Sequence, residues 1–249
     1  MHNSLNFPSN PELFINISEF NAKLGPVPSF SVLCGLTCPK NAPCLSACYA
    51  FAMEKIYRNY FDVNKNNLDM LLKYADRVED VIVGYILLSN TPLFRFNVDG
   101  DLEIDVKRPD LYVNLILNVA RRCPDCEIWF YSKSELLDLI PDAYPNNLYP
   151  IESQWRGWKP NIRHRFPITD ILKEDEDRTG KLICPNCLAE EKLKKGEKNL
   201  VRCFNCRLCL KLKKGDVLYF IAHGGGKNKV GDVVRNYYNK RDSKGRFTK

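Results

Sequence analysis

The chain lacks long apolar runs and contains few histidines. None of its segments reaches the ~18 consecutive apolar residues that a membrane helix needs. Its first ten residues are too polar for a secretory signal peptide. Of its three histidines, only His223 is placed to suggest a site, because a glycine run follows it. That run leads into Lys227 and Asn228 rather than the Lys-Ser or Lys-Thr pair of a phosphate-binding loop. We therefore expect a cytoplasmic protein that does not enter a membrane.

Cysteine is abundant, and all eleven cysteines are grouped. One group lies at residues 34–48, a pair lies at 123–126, and a third group lies at 184–209. Neighbouring thiolates converge on one metal ion or cluster, whereas a disulfide joins two sulfurs and gains most by closing a long loop. The odd total also argues against complete disulfide pairing. In a cytoplasmic protein this grouping indicates metal binding.

Positive charge is concentrated in the last sixty residues. Residues 190–249 contain 17 Lys and Arg against 6 Asp and Glu, a net charge of +11, so residues 1–189 carry −4 of the total of +7. A basic segment neutralises phosphates, which predicts nucleic acid as a partner of this tail. A solvated tail explains the same charge equally well, and both interpretations stay open.

Strand and helix patterns alternate through the middle of the chain. After Ala47, the residues Tyr49, Met53, Ile56 and Tyr60 are spaced to form one buried helical face. Further helices are expected at 67–74, 78–88, 109–122 and 134–140, and strands at 93–98, 127–131, 148–151 and 217–222. Such alternation predicts an α/β fold, either a partial parallel βα barrel or a parallel sheet, with a C-terminal cysteine-rich metal module.

The chain divides into three expected parts. Residues 1–180 are predicted to form the α/β domain with the N-terminal cysteine motif, and 181–225 the cysteine-rich metal-binding module. Residues 226–249 are predicted to be a basic, flexible tail. Within the first part, residues 159–180 show no clear pattern and are expected to be a connector.

Polar residues follow the predicted strands. In parallel α/β folds, the loops at the carboxyl ends of the strands carry the site. Here those ends hold Asp99 and Asp101, then Ser132 and Lys133, then residues 152–154. An Asp-Gly-Asp sequence is also an ordinary turn, so a structural role for the two carboxylates stays open.

The first cysteine group places Cys34, Cys38, Cys44 and Cys48 within fifteen residues. Four sulfurs at this spacing fit a zinc site or a four-iron four-sulfur cluster. The intervals are not the two-residue intervals of zinc ribbons, which favours iron–sulfur. Three ligands on a four-iron cluster leave one iron open for a substrate or cofactor. A structural zinc loop is the alternative.

The last cysteine group also fits two kinds of centre. Cys184 and Cys187, followed after fifteen residues by Cys203, Cys206 and Cys209, match the two pairs of a zinc ribbon with one sulfur left over. The same residues match a four-iron cluster held by three close cysteines and a distant Cys-Pro. Spacing alone favours zinc.

The middle pair, Cys123 and Cys126, lies between a predicted helix and a predicted strand. Such a pair can bind metal or act as a redox couple. We favour an inert pair.

Several motifs together resemble those of the bacteriophage gene product 88 family. They read TCP at 37–39, CYA at 48–50, FRFNVDGD at 94–101 and WFYSKS at 129–134. The family is in turn loosely similar to radical S-adenosylmethionine enzymes. This resemblance implies a cluster held by Cys38, Cys44 and Cys48 and a second set formed by Cys184, Cys203, Cys206 and Cys209. It also implies a cytoplasmic location in a host cell.

The resemblance further implies S-adenosylmethionine as a cofactor. In that interpretation Asp99 and Asp101 bind its amino or ribose groups, and Arg95 or Lys133 binds its carboxylate. The expected function is a phage-type iron–sulfur protein with a radical S-adenosylmethionine-like activity on an unknown substrate. The alternative is a non-catalytic zinc protein that contacts nucleic acid or a protein partner through its basic C-terminal region.

Overall fold

The computed structural model describes residues 14–44, 48–194 and 196–222. Seven strands within these ranges form one parallel sheet: β1 (Ser29–Phe30), β2 (Leu93–Phe96), β3 (Glu127–Ser132), β4 (Leu148–Ser153), β5 (Ile168–Leu172), β6 (Leu182–Ile183) and β7 (Val217–Ile221). Their spatial order is β1-β2-β3-β4-β5-β7-β6. The sheet is open, with β1 and β6 as its edges. An α/β fold with a parallel sheet is therefore confirmed, and of the two expected forms the sheet is the one observed.

The helices of the described chain are α1 (Tyr49–Ile56), α2 (Arg58–Ser89), α3 (Leu111–Arg122), α4 (Pro185–Glu191) and α5 (Cys203–Cys206). Two short 3-10 helices lie at Glu135–Leu139 and Leu208–Lys211. Because parallel strands need crossover connections, α1 and α2 join β1 to β2, and α3 joins β2 to β3. Among the described residues, no helix is long and apolar enough to cross a membrane.

The two faces of the sheet are covered differently. Alternate strand residues such as Phe94, Phe96 and Phe130 pack with α2 and α3 in the main hydrophobic core. On the opposite face, Trp129 packs with Leu24 of the N-terminal segment and with apolar residues near the last cysteines. The second face also borders the candidate site described below.

Helix α2 contains the break that the sequence predicted between two helices. Tyr74 has non-helical backbone angles, φ −141° and ψ 48°, so α2 is kinked at that point.

The prediction of which side of the preceding helix is buried was wrong. Helix α1 buries Ala50, Phe51 and Glu54, while Tyr49 and Ile56 are exposed. The reason is that α1 ends at Ile56, so the pattern does not run through one continuous helix.

The C-terminal half continues the sheet. Strand β5 lies inside residues 159–180, so the expectation of a connector there was wrong. It pairs with β4 on one side and with β7 on the other, and β6 pairs with β7. Because β6 and β7 belong to the same sheet as β2, a separate cysteine-rich module is not confirmed. The final part of the predicted division, 226–249, lies outside the described residues.

Candidate functional site

A large cavity of about 1150 Å³ lies against the second face of the sheet and reaches the carboxyl ends of β2, β3 and β4. Cysteines of the first group line it: Cys34, Cys38, Cys44 and Cys48. So do four cysteines of the last group: Cys184, Cys203, Cys206 and Cys209. The fold therefore brings to one cavity two cysteine groups that are more than 130 residues apart in the sequence.

Two thiols of the first cysteine group contact one another. The Sγ atoms of Cys34 and Cys48 are 3.5 Å apart, and the Cys38 Sγ accepts a hydrogen bond from the Gly35 N–H over 3.4 Å. The hydrogen bond between the Cys34 and Cys48 thiols is the main cause that lowers the pKa of Cys48. Burial raises the pKa of Cys44 to about 12, against the lowering effect of the nearby Lys133 ammonium. Cys34, which the resemblance left outside the cluster ligands, is thus in contact with one of them.

The loop after β2 supports the first cysteine group. The Thr37 hydroxyl donates to the Leu33 carbonyl over 2.9 Å and accepts from the Asp101 N–H over 2.9 Å. Gly100 adopts φ +77°, and a Cβ atom there would come within 2.6 Å of Val32 and 2.8 Å of the Thr37 hydroxyl. A glycine is therefore required where the Asp-Gly-Asp turn meets the segment that leads into Cys38.

Asp101 and Lys133 play linked roles. The Asp101 carboxylate accepts hydrogen bonds from the Ser132 hydroxyl (2.5 Å), the Lys133 N–H (2.9 Å) and the Leu102 N–H (2.8 Å). These hydrogen bonds tie the Asp101 carboxylate to the end of β3. They agree with the structural role that the sequence left open for this residue. The Lys133 ammonium donates to the Ser153 hydroxyl over 2.7 Å. Burial disfavours its charge, but Cys44 and Asp101 outweigh burial, and the net pKa of Lys133 is raised.

Asp99 differs from Asp101 because one of its oxygens is free. Its Oδ2 accepts a hydrogen bond from the Tyr60 hydroxyl, whereas its Oδ1 is buried without a hydrogen-bond partner. Burial raises the pKa of the Asp99 carboxyl above its usual value. Nearby on the cavity wall, the Nε atom of Arg95 and the Nδ2 atom of Asn97 are also buried without partners. A buried polar atom without a partner costs free energy, and all three atoms belong to residues that line the cavity.

The last cysteine group is surrounded by hydrogen-bond donors. The Tyr131 hydroxyl donates to the Cys209 Sγ over 2.9 Å, and the Lys23 ammonium donates to the Cys187 Sγ over 3.7 Å. Hydrogen bonding from Cys187 is the main cause that lowers the pKa of Cys184 to about 7, with Lys23 contributing. Burial raises the pKa of Cys209 to about 11.

The sequence interpretation missed Tyr131 and Lys23. Tyr131 lies within the WFYSKS motif, which is a usable signal for a site. Lys23 lies far from every cysteine in the sequence, and nothing in its local pattern marks it. Its proximity to Cys187 arises only from the folded chain.

Other candidates lie elsewhere or outside the described residues. Cys123 and Cys126 are buried in the main core, and burial raises the pKa of Cys126 to about 12, which fits the expected inert pair. His164 contacts the buried carboxylate of Glu152, with Nδ1 and Oε2 2.8 Å apart. His223 and the glycine run that follows it lie outside the described ranges.

The donor set of the cavity is suited to a thiolate-bound metal group. Within the described ranges, no three His, Cys, Asp or Glu side chains are grouped to hold a metal ion as they stand. The chemistry of the site nevertheless fits such a group, because thiols are soft ligands and the Lys133 and Lys23 ammonium groups lie beside them. Those two cations offset the negative charge that bound thiolates bring into a buried site.

Comparisons with known proteins agree with part of the resemblance seen in the motifs. Neither the curated proteins nor the solved structures that were searched gave a match. The model of one family, described as gene product 88, matches residues 15–212. That range contains both cysteine groups and every strand except β7, which begins at Val217. Since the match covers well over half of the chain, this protein belongs to the gene product 88 family.

Proposed function

We propose that this protein is an iron–sulfur protein whose cavity binds S-adenosylmethionine, or a cofactor of the same charge pattern, beside the first cysteine group. The observation that carries the proposal is the shared cavity. The residues that line it include the first cysteine group, Arg95 and Asp99, and the last two each carry a buried polar atom without a hydrogen-bond partner. A reactive centre needs such polar groups, whereas a purely structural zinc site does not.

In this proposal Cys38, Cys44 and Cys48 hold a four-iron four-sulfur cluster with one open iron. When bound, such a cluster supplies one-electron chemistry to a cofactor. Cys34 is buried and its Sγ lies 3.5 Å from that of Cys48. Its backbone N–H donates to the Glu54 carboxylate over 2.7 Å. These contacts hold the loop, so in this proposal Cys34 supports the three ligands and does not bind the cluster itself.

The protein's own residues bind and orient the cofactor. Asp99 Oδ1 is the acceptor for its ammonium group, and the Arg95 guanidinium is the donor for its carboxylate. Lys133 balances the charge of the thiolate at Cys44, while Asp101 keeps Lys133 in place through the Lys133 N–H. The cavity, at about 1150 Å³, slightly exceeds the usual range of ligand pockets, so it has room for cofactor and substrate together.

The second set, Cys184, Cys203, Cys206 and Cys209, holds either another four-iron cluster or zinc. Spacing favours zinc, whereas the resemblance favours a cluster, and these four cysteines line the same cavity as the first group. We assign no reaction step to it.

Anaerobic purification with iron, sulfide and zinc analysis tests this proposal. We expect about four irons for each cluster and an absorbance that dithionite bleaches. S-adenosylmethionine should alter the spectrum of the native protein, and Asp99→Asn should weaken that response. The matched control is Asp175→Asn, which changes an exposed carboxylate. A colourless protein with stoichiometric zinc at both cysteine groups would contradict the proposal and favour a zinc protein that contacts nucleic acid.

A further inference from the structure

The N-terminal segment forms a tight turn that packs on the last cysteine group. Residues 21–25 are closed by two backbone hydrogen bonds between Asn21 and Gly25, of 2.8 and 3.2 Å. The Cys203 N–H donates to the Lys23 carbonyl over 3.2 Å, and the Phe204 N–H donates to the Leu24 carbonyl over 3.0 Å. The first N–H groups of α5 therefore find their partners in this turn.

The sequence of the turn is suited to this contact. The Asn21 side-chain oxygen accepts from the Lys23 N–H over 2.8 Å, as in an Asx turn. Gly25 adopts φ +80°, and a Cβ atom there would lie 3.2 Å from the Cβ of Arg202. Leu24 is buried against Trp129 and Phe204 in the second hydrophobic cluster. The turn is thus held by packing on one side and by hydrogen bonds on the other.

Lys23 consequently connects two halves of the last cysteine group. Its carbonyl binds the backbone of Cys203, and its ammonium donates to the Cys187 Sγ over 3.7 Å. The ammonium also lies 4.9 Å from the centre of the Phe220 ring. A cation–π contact and a sulfur acceptor together fix the charge at one point beside the thiols.

We propose that Lys23 is a positioning residue of the C-terminal metal centre and that it acts through Cys187. This inference rests on the proposed function, because it requires a metal at the last cysteine group. Four thiolates around a divalent ion leave a net negative charge in a buried site, which is costly without a nearby cation. The Lys23 ammonium supplies that cation, and its N–H···S bond holds the Cys187 end of the group. Cys187, which the resemblance left outside the second set, thereby gains a role.

The test uses full-length protein carrying Cys44→Ala, so that only the C-terminal centre holds metal. Metal release to a chelator is measured for this protein and for the added changes Lys23→Met and Lys23→Arg. Removing an outer hydrogen-bond donor typically weakens metal binding about 10–100-fold. We expect Lys23→Met to release metal faster by about that factor and Lys23→Arg to stay near the parent rate. Lys107→Met, at an exposed position, is the matched control for loss of one charge.

A second variant separates a role in metal binding from a role in packing. Lys23→Met keeps an unbranched side chain over Phe220, so the packing of the turn is largely retained. In a protein that also carries Cys187→Ala, adding Lys23→Met should change the release rate less than it does in the parent, because the sulfur partner is gone and only the effect of the Lys23 charge on Cys184 and Cys203 remains. If Lys23→Met releases metal at the parent rate, the inference is wrong although the proposed function stands. If the parent protein holds no C-terminal metal, the proposed second centre is wrong, and the role of Lys23 is wrong with it.

Discussion

The guanidinium carbon of Arg95 lies 4.8 Å from the centre of the Tyr131 ring, and the hydroxyl of that ring donates to Cys209. Arg95 also attracts the Asp99 carboxylate and so opposes the effect of burial on the Asp99 pKa. Its positive charge likewise lowers the pKa values of the Cys203 and Cys209 thiols, against the effect of burial. Arg95 and Tyr131 therefore connect Asp99 with the last cysteine group.

Replacing Tyr131 by Phe removes one hydrogen bond while keeping the ring under Arg95. Burial raises the pKa of the Tyr131 phenol, which therefore stays a donor to sulfur at ordinary pH. We expect Tyr131→Phe to cost about 1 kcal/mol and to speed loss of the C-terminal metal, because the Cys209 sulfur loses its donor. Thermal unfolding and chelator competition measure the two effects. Tyr149→Phe is the control, since that hydroxyl bonds to Glu127 rather than to a cysteine. Equal metal loss in both variants would contradict the role of Tyr131.

Replacing Cys44 by Ala tests whether the two centres are independent. We expect loss of about four irons per chain, while the C-terminal metal is retained. Cys126→Ala is the matched control, because Cys126 is buried in the main core. It should leave the metal content unchanged and lower only the stability of the fold. Simultaneous loss of both metals from Cys44→Ala would show that the two groups form a single centre.

Replacing Gly100 by Ala should disturb the first cysteine group through the backbone. The alanine must adopt φ +77°, and its Cβ meets Val32 and Thr37 at 2.6 to 2.8 Å. Strain of this kind costs about 1–3 kcal/mol, and movement of Thr37 shifts the segment that leads into Cys38. We expect a lower melting temperature and a lower iron content. Gly157→Ala, at φ +82° with open space around the glycine, should cost only the backbone strain and keep its iron.

Asp99 should make the stability of the metal-free protein depend on pH. Burial raises its pKa above the usual 3.8, so the folded protein binds this proton more tightly than the unfolded chain. The stabilisation that comes from this tighter proton binding is complete below pH 3.8. It is lost as pH rises through the raised pKa of Asp99 in the folded state. Asparagine does not ionise. The melting temperature of Asp99→Asn should therefore rise relative to that of the native protein as pH rises from 3.8 through the raised pKa of Asp99.

Asp177 provides a control of the opposite sign. Hydrogen bonds, the largest from the Thr179 N–H, lower the pKa of this exposed carboxylate. The contribution of the Asp177 carboxylate to the stability of the fold is present above pH 3.8. It is lost as pH falls through the lowered pKa of Asp177. Asp177→Asn should therefore lose stability relative to the native protein as pH rises. Parallel curves for the two variants would contradict the assigned burial of Asp99.

Much of the local structure was predictable from the sequence. Strands β2, β3, β4 and β7 were expected near their observed positions, because short runs rich in aromatic and branched residues are typical of buried strands. The break in α2 was also expected. Strand β5 was missed because Ile168–Leu172 is short, contains an aspartate and follows a basic segment. Its strand conformation depends on pairing with β4 and β7, which no local pattern reveals.

The grouping of the cysteines, the place of Asp99 and Asp101 after a strand, and the family resemblance of the motifs are visible in the sequence. Each of these depends on residues close together in the chain. Three further features depend on the fold: both cysteine groups line one cavity, Asp99 has an oxygen without a hydrogen-bond partner while Asp101 has none, and Lys23 reaches Cys187. The physical reason is that strand pairing and burial join residues far apart in the chain, so the partner of a side chain depends on the whole sheet.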